Sequence, residues 1–242
     1  MLAATSWRSR RAACRRPVTY LKDDTVDWDR NLFGNINHLA GSTTWAHSFM
    51  AAYALWGGLV ALTLVWAYCW LSARHRGDLR CVAGVILTGT ASVIALILNQ
   101  IIGPLVDRPR PFVALPHVLL LLPHSADSSF PSDHAMIAGA FVGGLLVVHR
   151  RWGTVAAVLA VLLAFARVYV GVHYPTDVLG GLLIGATVGI LLTLPMLRVA
   201  LAQLLVTIAR TPLRPLLQAT SAGPAERNST LGHDGPDVPA GR

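Results

Sequence analysis

The chain is short of charge. Only 13% of its 242 residues are Asp, Glu, Lys or Arg, about half the share of a soluble domain. That argues against a soluble globular protein and against a charged, disordered one. Cysteine is scarce too: Cys14, Cys69 and Cys81 are all there is. None forms a CxxC pair, and two lie in or beside apolar runs, so neither a disulfide framework nor a zinc ribbon is supported. There is no Gly-rich phosphate loop, no HExxH and no repeat of solenoid type. No apolar segment follows the arginines of residues 8–16, which argues against a cleaved signal peptide.

What the chain has in quantity is apolar residues, 54% of the total. They fall into runs that predict an all-α, polytopic membrane helix bundle. Residues 48–72 and 81–103 carry no charge, and further helices are expected over 131–148, 152–171 and 175–197. That makes five transmembrane helices, or six if residues 28–44 also cross. Asp29, Arg30, Asn31, Asn35, Asn37 and His38 make that crossing expensive, at roughly 2.5–3.5 kcal/mol per central charge. Residues 28–44 read instead as an interfacial helix, with Leu32, Ile36 and Leu39 at helical spacing and Phe33 beside them.

The formal net charge of +8 does not point to nucleic acid, because the basic residues sit between apolar runs. Arg74, Arg76 and Arg80, then Arg150 and Arg151, then Arg198, Arg210 and Arg214 share one face in a five-span chain. The positive-inside rule makes that face cytoplasmic, and loops 104–130 and 168–175 then share the outer one. The arginines of residues 8–16 conflict with this arrangement, since five spans put the N-terminus outside. The expected organisation is a basic, flexible N-terminus (1–27), the interfacial helix (28–44) and a transmembrane domain (45–197). An amphipathic cytoplasmic segment (198–217) and a disordered tail (218–242) follow. Gly181, Gly185 and Gly189 form a close-packing stripe on the fifth span.

Three polar clusters fall at the outer face: Asp107-Arg108-Pro109-Arg110-Pro111, Ser129-Phe130-Pro131-Ser132-Asp133-His134, and Arg167 with His173 and Asp177. Singly, each has a plain reading as a stiff loop, a helix start or a polar cap. Together they bring ionisable groups from several helix ends to one face, which marks a functional site. The chemistry suits an anionic phosphate ester. Arginine forks match phosphate oxygens. A helix beginning at Pro131 offers Ser132 and free backbone N–H groups to an anion, with His134 in its first turn. His173 and Asp177 are four apart, so the carboxylate is expected to hold one imidazole nitrogen and leave the other as a nucleophile.

These residues resemble the type-2 phosphatidic acid phosphatase superfamily, whose signature is KxxxxxxRP, PSGH and SRxxxxxHxxxD. Arg110-Pro111 matches the first part, Pro131-Ser132-Asp133-His134 the second, and Arg167, His173 and Asp177 the third. The resemblance covers roughly residues 45–197. It implies that His173 attacks phosphorus and that Asp177 orients His173. His134 protonates the leaving oxygen and then activates water, while Arg110, Arg167 and Ser132 bind phosphoryl oxygens. It also implies that no metal or other cofactor is needed. Three positions depart from the signature. Gly103 stands at the lysine, with Arg108 the expected substitute. Ala166 stands at the serine. Asp133 stands at the glycine of PSGH, as in the undecaprenyl-diphosphatase branch, and is expected to keep His134 protonated.

The expected function is hydrolysis of a polyprenyl diphosphate in the plasma membrane, on the extracytoplasmic face, for recycling of a carrier lipid. The partners are then the lipid substrate and the bilayer. Phosphatidic acid or phosphatidylglycerophosphate hydrolysis and lipid phosphotransfer use the same site. A metal-dependent hydrolase drawing on His117, His124, Asp127, Asp133, His134, His173 and Asp177 is a further alternative. So is an anion transporter, though charges gathered at one face disfavour a pore. The apolar stretch 112–124 is expected either to dip into the outer leaflet or to pack as a cap over the site.

Overall fold

The computed structural model describes residues 24–123 and 127–208. The basic N-terminus up to residue 23, His124 and the tail from residue 209 lie outside the described residues.

Helix α1 (Asp24–Ser42) comes first. A 3-10 turn (Thr44–Ala46), α2 (His47–Ala52), a π-helical turn (Tyr53–Gly57) and α3 (Gly58–Arg76) then form one unbroken helical path. Gly77, in the left-handed region, ends it, and Asp78 starts α4 (Leu79–Val106) by accepting the Cys81 N–H at 3.0 Å. A short α5 (Pro111–Ala114) leads into the loop before α6 (Asp133–Val148). Then come α7 (Arg150–Tyr169), α8 (Pro175–Leu192) and α9 (Pro195–Ile208).

Among the described residues, four segments are long and apolar enough to cross a bilayer: Thr44–Arg76, Leu79–Ala114, Arg150–Tyr169 and Pro175–Leu192. The remaining expected span, α6, has 16 residues, about 24 Å of helix. It packs against α3, α4, α7 and α8. A helix enclosed by its neighbours meets little lipid, so it needs less apolar length than one on the rim. Large apolar side chains such as Leu64, Val93, Val161 and Leu183 stay exposed on the outer helices, as a lipid-facing surface requires.

Helices α6 and α8 run parallel and almost touch. A Cβ on Gly185 would lie 2.0 Å from the Met136 carbonyl oxygen, and one on Gly143 would lie 2.2 Å from the Ala186 carbonyl oxygen. The expected glycine stripe therefore lets two backbones meet directly.

The starts of α3, α6 and α8 and the ends of α4 and α7 gather at one end of the bundle. The opposite end holds the turns bearing Arg74, Arg76, Arg80, Arg150 and Arg151. There α9 packs Ala202 and Leu205 on Ala73, Val82 and Ala83. Residues 198–208 of the expected amphipathic segment thus belong to a helix docked on the bundle, and the rest of that segment lies outside the described residues.

Helix α1 lies across the gathered end, against α7 and α8. The face it buries differs from the expected one. Asp29, Phe33, Asn37 and Ala40 point inward, while Leu32 and Leu39 stay exposed. The Asn37 amide grips the Leu119 backbone, donating to its carbonyl and accepting its N–H, both at 2.9 Å. Leu119 to Leu122 pack on Ala166, Tyr169, Val170 and Val172. Within this stretch Leu119 to Leu122 pack as the expected cap, while Val113 stays exposed. Gly171 makes the fit possible: its φ is +85°, and a Cβ there would sit 2.5 Å from the Leu119 carbonyl oxygen.

Candidate active site

His173 occupies the turn between α7 and α8 and is 2% exposed. Its Nδ1 lies 2.8 Å from the Ser129 carbonyl oxygen, and its Nε2 lies 3.2 Å from Nη2 of Arg167. Arginine only donates and a carbonyl only accepts. The neutral ring therefore carries its proton on Nδ1 and keeps a lone pair on Nε2. Burial, with Arg167 and Arg110 close by, pushes this imidazole well below the usual histidine range. Near neutral pH it is uncharged.

Asp177, in the first turn of α8, does not hold the ring as the four-residue spacing suggested. Its Oδ2 is 3.9 Å from His173 Nδ1, too far for a hydrogen bond. That oxygen accepts instead from Ser129 Oγ at 2.5 Å and from the Tyr174 N–H at 2.8 Å. The carboxylate fixes Ser129, and the Ser129 carbonyl fixes the imidazole.

Ser132 is the N-cap of α6, in extended backbone geometry, and its hydroxyl caps nothing. His134 follows in the first turn, its Nε2 3.1 Å from the Leu55 carbonyl oxygen. Arg167, near the end of α7, donates from Nη1 to the Ala54 carbonyl at 3.3 Å. Both carbonyls belong to the π-helical turn Tyr53–Gly57, a feature frequent at functional sites. Ser132 Oγ, His134 Nδ1 and Arg167 Nε are buried and have no hydrogen-bond partner within the protein. Buried polar groups are nearly always paired; three of the six unpaired side-chain atoms among the described residues fall on these signature residues, the others being on Arg74, Asn99 and Arg198.

Arg110 is buried and faces the same turn. It donates to the Val172 carbonyl at 3.3 Å and to the Asp127 carbonyl at 3.1 Å, and pairs with the Asp127 carboxylate at 3.1 Å. Arg108, the expected substitute for the missing lysine, is engaged by protein partners in this structure. Its Nη1 donates to Asp177 Oδ1 and its Nη2 to Asp29 Oδ2, both at 2.6 Å, and its guanidinium lies 4.1 Å from the centroid of the Tyr174 ring. Two carboxylates already neutralise it. Gly103, at the lysine position, faces the Phe130 carbonyl and Ser128 at ordinary contact distance. Asp133 does not support His134 directly either: its Oδ1 accepts from Asn99 Nδ2 on α4.

The structure thus gathers His134, His173, Arg110, Arg167 and Ser132 around one site and sets Asp177 behind Ser129. Arg108 and Asp133 turn to other partners. Sequence reasoning missed the Ser129 carbonyl, the Ala54 and Leu55 carbonyls, Asn99 and Asp29. Only Asp29 left a usable signal, because Asp29, Phe33, Asn37 and Ala40 recur on one helical face. Among the described residues no three His, Cys, Asp or Glu side chains gather as metal ligands.

The pattern of the PAP2 superfamily matches residues 83–199. The undecaprenyl-diphosphatase BcrC of Bacillus subtilis is 34% identical over 144 residues, 59% of this chain and 69% of its own. YbjG of Escherichia coli, provisionally named an undecaprenyl-diphosphatase, is 38% identical over 160 residues, 64% of this chain and 76% of its own. A crystal structure of a transmembrane PAP2 type phosphatidylglycerolphosphate phosphatase from Bacillus subtilis aligns with a TM-score of 0.49 at 24% identity, covering 71% of this chain and 86% of that one. With relatives this similar over this much of their length, the chain belongs to the PAP2 superfamily and is a membrane-embedded phosphate-ester hydrolase.

Proposed function

We propose that this enzyme removes the terminal phosphate of a polyprenyl diphosphate through a phosphohistidine at His173. The observation that carries the reading is the set of buried, unpartnered atoms on Ser132, His134 and Arg167, beside the lone pair of His173 Nε2.

Nε2 attacks the terminal phosphorus, and the bond from phosphorus to the bridging oxygen breaks. His134, protonated once the anionic substrate is bound beside it, gives its proton to that oxygen, releasing polyprenyl monophosphate. Water then attacks the phosphohistidine while His134 takes a proton from it, and inorganic phosphate leaves. Arg167, Arg110, Ser132 and the first N–H groups of α6 hold the phosphoryl oxygens as charge develops. Asp133, bound to Asn99, steadies that first turn. Helix α1 lies in the interface with Leu32 and Leu39 toward lipid. The arginine-bearing end faces the cytoplasm, so the site works on the outer leaflet of the plasma membrane and returns a carrier lipid for reuse.

The test is phosphate release from undecaprenyl diphosphate by purified protein in detergent with EDTA, beside His173→Ala. Release that vanishes in the variant, with acid-labile label on the wild-type protein alone, is the expected result. EDTA-sensitive release, or a His173→Ala variant as active as wild type, would overturn the mechanism.

A further inference from the structure

A chain of short contacts runs from α1 to His173. Asp29 is 2% exposed, although it lies on a helix that covers the end of the bundle. Its Oδ2 meets Arg108 Nη2 at 2.6 Å, and Arg108 Nη1 meets Asp177 Oδ1 at 2.6 Å. Asp177 Oδ2 accepts from Ser129 Oγ at 2.5 Å, and the Ser129 carbonyl takes His173 Nδ1 at 2.8 Å. A second route is shorter. Asp29 Oδ1 accepts the Thr176 N–H at 2.9 Å, and Oδ2 accepts the Thr176 hydroxyl at 2.7 Å. Thr176 is the residue before Asp177, in the first turn of α8.

We infer that Asp29 is a positioning residue for His173, acting through Arg108, Asp177 and Ser129. The inference rests on the reading of His173 as the nucleophile.

Arg108 is the pivot. It is a quarter exposed, whereas Asp177 is fully enclosed. Without Asp29 the Nη1 side of the guanidinium keeps Asp177 and the Thr176 hydroxyl, and one face keeps the Tyr174 ring, but Nη2 loses its carboxylate and the group is freer to swing toward water. Each swing toward water strips the buried Asp177 of its counter-ion and loosens the carboxylate that fixes Ser129. A nucleophile displaced by a fraction of an ångström loses rate, not binding. Asp29 is also more than an anchor for α1, because that helix has others: Phe33 and Ala40 are buried, and Asn37 makes two hydrogen bonds to Leu119. Helix α1 lies outside residues 83–199, which the family pattern matches, so the device lies apart from the signature.

The experiment uses the full chain in detergent with undecaprenyl diphosphate, comparing wild type, Asp29→Ala, Asp29→Asn, Arg108→Ala, Asp29→Ala/Arg108→Ala and His173→Ala. Expected is a fall in kcat of about tenfold or more for Asp29→Ala with KM within about threefold. Asp29→Asn should lose less, and both variants should remain folded at the assay temperature, with a lower melting temperature because Arg108 and the Thr176 N–H each lose an acceptor. The double variant should lose far less than the product of the two single losses, because both changes cut the chain through Arg108 and only the Thr176 contacts belong to Asp29 alone. A kcat within twofold of wild type for Asp29→Ala, or losses that multiply in the double variant, would overturn the inference. So would failure of both Asp29 variants to fold, which would make Asp29 a structural anchor. Those results leave the nucleophile reading intact as long as His173→Ala is dead, whereas wild-type protein without phosphate release would remove both.

Discussion

The Ser129 carbonyl oxygen sits 2.8 Å from Nδ1 of His173. A backbone group therefore sets the ring that the four-residue spacing had assigned to Asp177. The two carboxylate functions usually taken together, touching the imidazole and balancing charge near it, are separated here. Asp177 acts one residue removed.

Asp177→Asn should for that reason be milder than loss of the histidine. The amide keeps the shape and one acceptor oxygen, and the Ser129 carbonyl still holds the ring. Expected is a kcat loss of roughly 10- to 100-fold, against about 10⁴-fold or more for His173→Ala. Steady-state phosphate release under identical detergent conditions measures both. Equal losses would mean that Asp177 contacts the ring directly during turnover.

The neutral, buried His173 also sets an acid limit on the fold. Its folded pKa lies below its unfolded value, so below about pH 6.5 the unfolded chain binds the extra proton first. Stability is unaffected above that pH and falls as pH drops through it toward the folded value. The melting temperature of the wild type should decline between pH 7 and pH 5. A His173→Gln variant should show a flatter profile. Parallel profiles would assign the acid sensitivity to another group.

Ser132 offers a cleaner dissection of binding. Its hydroxyl has no partner within the protein, so Ser132→Ala leaves no group orphaned. Melting should not change, while kcat/KM should fall about tenfold, the equivalent of roughly 1.4 kcal/mol. A drop in melting temperature with full activity would make the hydroxyl a structural group.

The α6–α8 contact should tolerate almost nothing. Gly185→Ala would place a methyl 2.0 Å from the Met136 carbonyl oxygen, and the two helices would have to part. Since α6 carries His134 and α8 carries Asp177, separation should lower stability by about 1–3 kcal/mol or more and depress activity with it. Leu183→Ala, on the exposed face of the same helix, should leave both nearly unchanged. Thermal melting and phosphate release on the pair settle the comparison.

Much of this was legible in the residues. Apolar runs located α3, α4, α6, α7 and α8, and the arginines marked the end away from the site. The three polar clusters converge as their placement suggested, because hydropathy and topology leave few alternatives. The pairings inside the site were hidden for two reasons. Some acceptors are backbone carbonyls, at Ala54, Leu55 and Ser129, and a carbonyl leaves no mark on the identity of its residue. Other partners are distant in the chain. Asp29 and Arg108 are 79 residues apart, and Asn99 and Asp133 are 34 apart. Arg108 looked like a phosphate ligand because nothing nearby claimed its charge. Local reasoning assigns such a residue to the site, and only the packing of α1 reveals its protein partners.

The parallel run of α6 and α8 has an electrostatic side as well. Two helices aligned in the same direction point their positive dipole ends, each worth roughly half a charge, at the same place. That place is the site, where Ser132 begins one helix and Asp177 lies in the first turn of the other. Asp177 compensates one end from behind, and an anion in front would compensate both. Occupancy should thus tighten the whole bundle, and orthovanadate or inorganic phosphate should raise the melting temperature even of His173→Ala, which is expected not to turn over.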